Sequence, residues 1–279
     1  MNEVAGLIDY HNFLHEKYKK AFKESYHSGS AGSIHQLRVT IKKYNAFFRL
    51  LKYLNKDFQS KKTFSTLKEL FKKAGKLRNI QMKLVFINQL LKNSNARLKI
   101  PTAELNKKEK KEFVIYRKCC KRNKHDFQEP VERKIRKTLK DDFSLKKLKH
   151  YLVIQTKDIA KLMRQQKKNV QLHEIRILLK EYFYNIILVK DYLLKNQRKE
   201  KQINQLHKFQ DDIGKWQDQT EILKFITKVD RHLSTAEKKS MQLLAMKLEN
   251  SHRKLSTGLK EKFPLILQNI KQINDELVF

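Results

Sequence analysis

A nine-residue segment used twice constrains this chain more than any other feature. Ile34-His35-Gln36-Leu37-Arg38-Val39-Thr40-Ile41-Lys42 returns 138 residues later as Leu172-His173-Glu174-Ile175-Arg176-Ile177-Leu178-Leu179-Lys180. Downstream, Ala74-Gly75-Lys76-Leu77-Arg78-Asn79 is answered by Ile213-Gly214-Lys215-Trp216-Gln217-Asp218. A period near 140 in 279 residues favours two similar halves, residues 1–140 and 141–279, each able to bury a core.

Around each copy the apolar residues recur three and four apart. Ile34, Leu37, Ile41, Tyr44, Phe48 and Leu51 draw one seam, and Leu172, Ile175, Leu179, Tyr182, Ile186 and Val189 repeat it. A further helix carries Leu67, Leu70, Ala74, Leu77, Gln81 and Leu84, matched by Leu206, Phe209, Ile213, Trp216, Thr220 and Leu223. This is helical spacing, and 6 Gly and 3 Pro suit long helices better than turn-rich sheets. The expected fold class is all-α: two pseudo-symmetric four-helix bundles from an internal duplication.

The seams run through Gly75 and Gly214, which places each inside a helix and suggests close backbone approach; the alternative is that each marks a helix end. Gly29 to Ser33 breaks the chain, with Ser33 expected to cap the next helix and His35 to fall in its first turn. Gln165 to Asn169 reads as the equivalent loop in the second half. A fourth helix is expected from Pro101-Thr102, and Ser234-Thr235-Ala236-Glu237 has capping-box spacing for its counterpart, which should run to about Lys262 before Pro264.

Charge narrows the function. With 63 Lys and Arg against 29 Asp and Glu, the formal net charge of +34 calls for a polyanion. Most of these lysines belong to solvated helix faces, so only those at special positions are site candidates. His35, Arg38, Lys42 and Arg49 fall within one narrow sector of a helix, beside the apolar seam. His173, Arg176 and Lys180 reproduce that stripe, and Tyr184 follows on the same face with a hydroxyl in place of a charge. A helix N-terminus would add amide donors for phosphate.

Other chemistries find little support. Each of the two motif histidines, His35 and His173, stands among Arg and Lys, which oppose a metal cation, and no local His-x-x-x-His or Cys-x-x-Cys set supports one there. Cys119 and Cys120 are adjacent and imply no disulfide framework. No P-loop, nucleophile elbow or carboxylate pair stands above chance, so no catalytic residue and no cofactor are expected. The first 21 residues resemble neither a signal peptide nor a membrane span, which makes the cytoplasm the default compartment.

At these residues the chain resembles the conserved-histidine α-helical domain family, CHAD. Its halves each show a His-x-x-Arg-x-x-x-[Arg/Lys] helix followed by a Leu-Gly-x-x-Arg-Asp-x-Asp-type segment. The first half matches through His35, Arg38, Lys42, Lys43, Arg49, Gly75, Arg78 and Asn79; the second matches through His173, Arg176, Lys180, Tyr184, Gln210, Asp211, Gly214 and Asp218. The resemblance implies a basic central surface that binds inorganic polyphosphate, and localisation to polyphosphate granules in some members. The expected polyphosphate-binding set is His35, Arg38, Lys42, Lys43, Arg49, Lys76, Arg78, His173, Arg176, Lys180, Tyr184 and Lys215, in a stand-alone binding module with no membrane association.

The sequence departs from the family pattern at Asn45 and Phe183, where a basic residue is usual. It departs again at Glu181 after Lys180, and at Asn79 and Gln81, where acids are usual. Two other classes compete. A nucleic-acid-binding protein would use the same charge, although Tyr44, Phe48, Phe209 and Trp216 fit the seams better than base stacking. A phosphate-releasing hydrolase would need metal-binding carboxylates that the stripe lacks.

Overall fold

In a computed structural model, residues 3–93, 99–122, 128–139, 144–165, 170–194, 200–229 and 234–275 are described, and these are helical almost throughout, with no strand among them. The order is α1 (Glu3–Ser28), α2 (Ala31–Leu54), α3 (Ser60–Asn93), α4 (Lys99–Arg122), α5 (Gln128–Leu139), α6 (Leu145–Gln165), α7 (Val170–Leu188), α8 (Glu200–Val229), α9 (Thr235–Glu261) and α10 (Phe263–Asp275). A π-helical turn, Val189–Leu194, extends α7.

The seam of α2 is fully enclosed, with Ile34, Leu37, Ile41, Tyr44, Phe48 and Leu51 all buried, and its counterpart on α7 is buried from Leu172 to Val189. Each such side chain contributes about 1.5–3 kcal/mol by leaving water. On α3 the seam holds to Leu84, including a buried Gln81 whose Nε2 donates to Gly29 O at 2.7 Å and to Glu109 Oε1 at 3.0 Å. The α8 seam slips near its end: Thr220 and Leu223 are half-buried, while Ile222, Phe225 and Ile226 turn inward.

Two apolar clusters result. The larger draws on helices from α1 to α10 and includes both α2 and α7. The smaller joins Leu84, Ile87 and Leu105 to Ile222, Phe225, Ile226 and Met241, clasping the end of α3 and the start of α4 against the end of α8 and the start of α9. Within this frame α2 packs on α3, α7 on α8, α2 on α7 and α3 on α8, so four helices meet around a shared centre. Two short helices exceed the expected four per half: α5 packs on α1, and α10 on α6 and α8.

Local signals explain the helix ends. Gly29 takes φ +56°, a left-handed conformation where a Cβ would also meet the Phe113 ring. Helix α2 then starts earlier than expected. Ser30, not Ser33, is the N-cap, and the Ser33 N–H donates to its Oγ at 3.2 Å. Ala31 and Gly32 are already helical, so His35 sits beyond the first turn, away from the free amides. The Ser234–Glu237 capping box is present in both directions, and α9 ends at Glu261 with Pro264 in the opening turn of α10. Most of the expected second-half loop, residues 166–169, lies outside the described residues, whereas Gln165 closes α6.

Candidate functional site

The centre where α2, α3, α7 and α8 meet is cationic. Four cations come from the two motif copies, Arg38 and Lys42 on α2 and Arg176 and Lys180 on α7. His35 on α2 and Arg78 on α3 face the same centre, together with one α8 carboxylate, Asp218. Burial, and then the neighbouring cations, depress the proton affinities of the basic groups, while burial raises that of Asp218 against the pull of the cations. Burial, then Lys180, Arg176 and Arg38, lowers the Lys42 ammonium to about 7, against the partial relief of Asp218. Lys180 falls to about 8 through burial and then Arg176, and Arg38 to about 10 through burial, Arg78 and Arg176. Partial burial, followed by Arg78, Lys42, Lys180 and Arg38, holds His35 below the usual imidazole range.

Arg38 has a built seat. Its Nη1 donates to Phe71 O at 2.8 Å, and its guanidinium lies 4.2 Å from the Phe71 ring centroid. A Cβ on Gly75 would collide with that guanidinium, so the helix-interior glycine is explained by a close approach, though of a side chain and not of a backbone. Gly214 is also inside a helix, but a Cβ there would meet nothing within 4 Å. At the position corresponding to Phe71, Gln210 bonds Leu179 O at 3.2 Å. Arg176 lacks the seat, and its buried Nε has no hydrogen-bond partner among the described residues.

Arg78 donates to Ala31 O at 3.3 Å, which ties α3 to the start of α2. A small cleft of about 120 Å³ between α2 and α7 is lined by Lys42, Arg49, Arg176, Lys180, Glu181 and Tyr184. Tyr184 is buried beneath Lys43, whose ammonium lies 5.9 Å from the ring centroid. Burial and then Lys17 depress the Lys43 ammonium.

The remaining candidates lie elsewhere or are engaged. Arg49 is bound to the buried Glu181 of α7 at 2.7 Å, and the same carboxylate accepts from Tyr151 at 2.9 Å and Gln155 at 3.2 Å. His173 is exposed, with Nδ1 2.8 Å from Gln217 Oε1, while Lys215 pairs with Asp212 at 3.5 Å and Lys76 is exposed on α3. Two contributors escaped the sequence reading as site residues, Asp218 and Phe71. Asp218 was visible as a match to the family pattern but not as a binding-site residue, and nothing in the sequence around Phe71 marks it as the seat of an arginine 33 residues away.

The helical centre, with its paired motifs, coincides with a known domain: the CHAD domain matches residues 16–227. The chain belongs to the CHAD domain family. Its fold is similar to the crystal structure of the CHAD domain from the plant Ricinus communis, with a TM-score of 0.66 at 13% identity, covering 99% of this chain and 92% of that one. It is also similar to PptA from Streptomyces chartreusis, with a TM-score of 0.68 at 10% identity over 94% and 99% of the two chains. No curated protein matches the sequence closely enough to argue from. The CHAD family is associated with polyphosphate. In this CHAD protein no described helix is long and apolar enough to cross a membrane, and no cluster of metal-ligating side chains occurs among the described residues.

Proposed function

We propose that this CHAD protein binds inorganic polyphosphate at the composite centre formed by Arg38, Lys42, Arg78, Arg176 and Lys180, with His35 at its edge. The observation that carries the reading is the convergence of cations from α2, α3 and α7 on one partly buried centre, where burial and then neighbouring cations lower Lys42, Lys180 and Arg38. Like charges held together in a partly buried site are costly when empty, and a chain of phosphates offsets that cost unit by unit. Arginines would grip phosphate oxygens by forked hydrogen bonds and lysines would act as point charges. Because some members of the family are targeted to polyphosphate granules, the reading extends to a cytoplasmic role at such granules.

The same reading treats residues 1–140 and 141–279 as duplicated helical units that each lend one stripe. The stripes are unequal, because Arg38 is seated and Arg176 is not. His173, Lys76 and Lys215 then serve as outer contacts, with Lys43, Tyr184 and Arg49 along the adjoining cleft. Binding without turnover is expected, since Asp218 is held among cations and supplies no metal-binding set. Incubation with polyphosphate and Mg²⁺ should release no phosphate.

The deciding experiment compares Arg38→Glu/Arg176→Glu with Lys108→Glu/Lys239→Glu on the exposed faces of α4 and α9. Polyphosphate affinity should collapse in the first and change little in the second; equal losses would mean diffuse charge and no site. Affinity should also fall steeply with salt through counterion release. RNA, at matched phosphate concentration, should displace polyphosphate poorly; displacement equal to that by polyphosphate itself would favour general nucleic-acid binding.

A further inference from the structure

A second cavity, with a volume of about 1210 Å³, opens where the end of α2 meets the starts of α3 and α6. It adjoins the small cleft through Asn45 and Arg49, yet none of the cations at the four-helix centre lines it. Its walls combine two features that a phosphate chain alone would not use together. Tyr53, Phe64 and Tyr151 supply ring faces, with Tyr53 and Tyr151 already 4.7 Å apart between centroids and inclined at 35°. Five lysines and Arg49 surround them, against the single lining carboxylate of Asp57.

Tyr53 is also fixed in place, because its hydroxyl lies 2.6 Å from His150 Nδ1. Tyr53 and Phe64 are half-buried, so part of each ring remains open to the cavity, whereas Lys61 and Lys68 are exposed at its margin. Aromatic faces within a cationic rim suit a ligand that is itself a planar ring joined to phosphates. The volume exceeds that of ordinary small-ligand pockets, about 300–1,000 Å³, and accommodates a mononucleotide with water.

We propose that this cavity binds a nucleoside polyphosphate, with the base against Tyr53 and Phe64 and the phosphates running between Lys61, Lys68 and Arg49. The site is separate from the composite centre and does not depend on the polyphosphate reading.

The probes are ATP, tripolyphosphate and adenosine, titrated by calorimetry without divalent metal. Using Arg38→Glu/Arg176→Glu as the background disables the centre and leaves the cavity intact. There, ATP should bind about tenfold more tightly than tripolyphosphate, the gain expected from stacking one base, and adenosine should bind weakly. Adding Lys61→Glu/Lys68→Glu should abolish ATP binding, and adding Phe64→Ala should reduce ATP to the level of tripolyphosphate. Both rim lysines are exposed, and circular dichroism would verify folding. Equal affinity for ATP and tripolyphosphate in that background, or no ATP binding there at all, would overturn the proposal. In the otherwise unaltered protein, Lys61→Glu/Lys68→Glu should leave most polyphosphate binding in place, so the two sites can fail independently.

Discussion

The guanidinium of Arg38 fills the space that a side chain at Gly75 would require. Because the obstructing atoms are the far end of a flexible side chain, Gly75→Ala should move the arginine and leave the helix whole. The alanine itself favours a helix interior by up to about 1 kcal/mol. Polyphosphate affinity should therefore drop severalfold while thermal stability stays level or rises. Gly214→Ala meets nothing and should stabilise the protein without touching affinity. Parallel losses of affinity in the two variants would refute the seat.

The depressed Lys42 makes stability depend on pH with a definite sign. Its folded-state value is about 7, against 10.5 for an unperturbed lysine. Between those values the unfolded chain holds more protons, so wild-type stability should rise with pH across that window. Lys42→Met removes this contribution. The variant's advantage should be largest below pH 7 and shrink toward pH 10 in denaturant titrations; a constant gap would show that the ammonium is not strained. A polyanion restores the charge, so binding at pH 8 should take up protons, detectable by calorimetry in buffers of different ionisation enthalpy, and affinity should weaken as pH climbs from 7 to 9.

Asp218 stands among Arg176, Arg78, Lys180 and Lys42 as a resident counter-anion. Incoming phosphate must share those cations with it. Asp218→Asn should raise polyphosphate affinity severalfold and steepen its salt dependence, at a cost in the stability of the empty protein. Weaker binding would mean that the carboxylate positions the cations instead of competing for them.

Arg49 holds α2 to α7 through Glu181. Removing it leaves a buried carboxylate with Tyr151 and Gln155 as its partners among the described residues, while water at the half-exposed arginine softens the loss. Arg49→Ala should destabilise by about 1–2 kcal/mol and reduce affinity far less than Arg38→Ala. A loss of affinity equal to that of Arg38→Ala would place Arg49 in the site proper.

The helical class, the α2 and α7 seams and the Ser234 cap could be read from sequence because each is local and periodic. The α8 seam could be read only to Trp216. Spacing of 3.5 residues drifts against a 3.6-residue turn, and α8 also changes neighbours as it enters the smaller cluster at Ile222 and Phe225. The stripe Arg38–Lys42 was visible for the same reason as the seams. Which of its members face the centre was not. Arg49 is claimed by Glu181, 132 positions away, and His173 by Gln217, 44 away. Such pairings between helices leave no periodic trace.

The larger apolar cluster has one further consequence. It runs without a break from Leu7 to Ile273 and takes in both helices that carry the repeated motif. Neither half owns a complete interior, so the chain should melt in a single cooperative transition. Ligand captured by groups from both halves would then shift that whole transition by mass action. For such a molecule, cellular polyphosphate would act as a determinant of lifetime, sparing the loaded protein from proteolysis and leaving the empty one exposed to it.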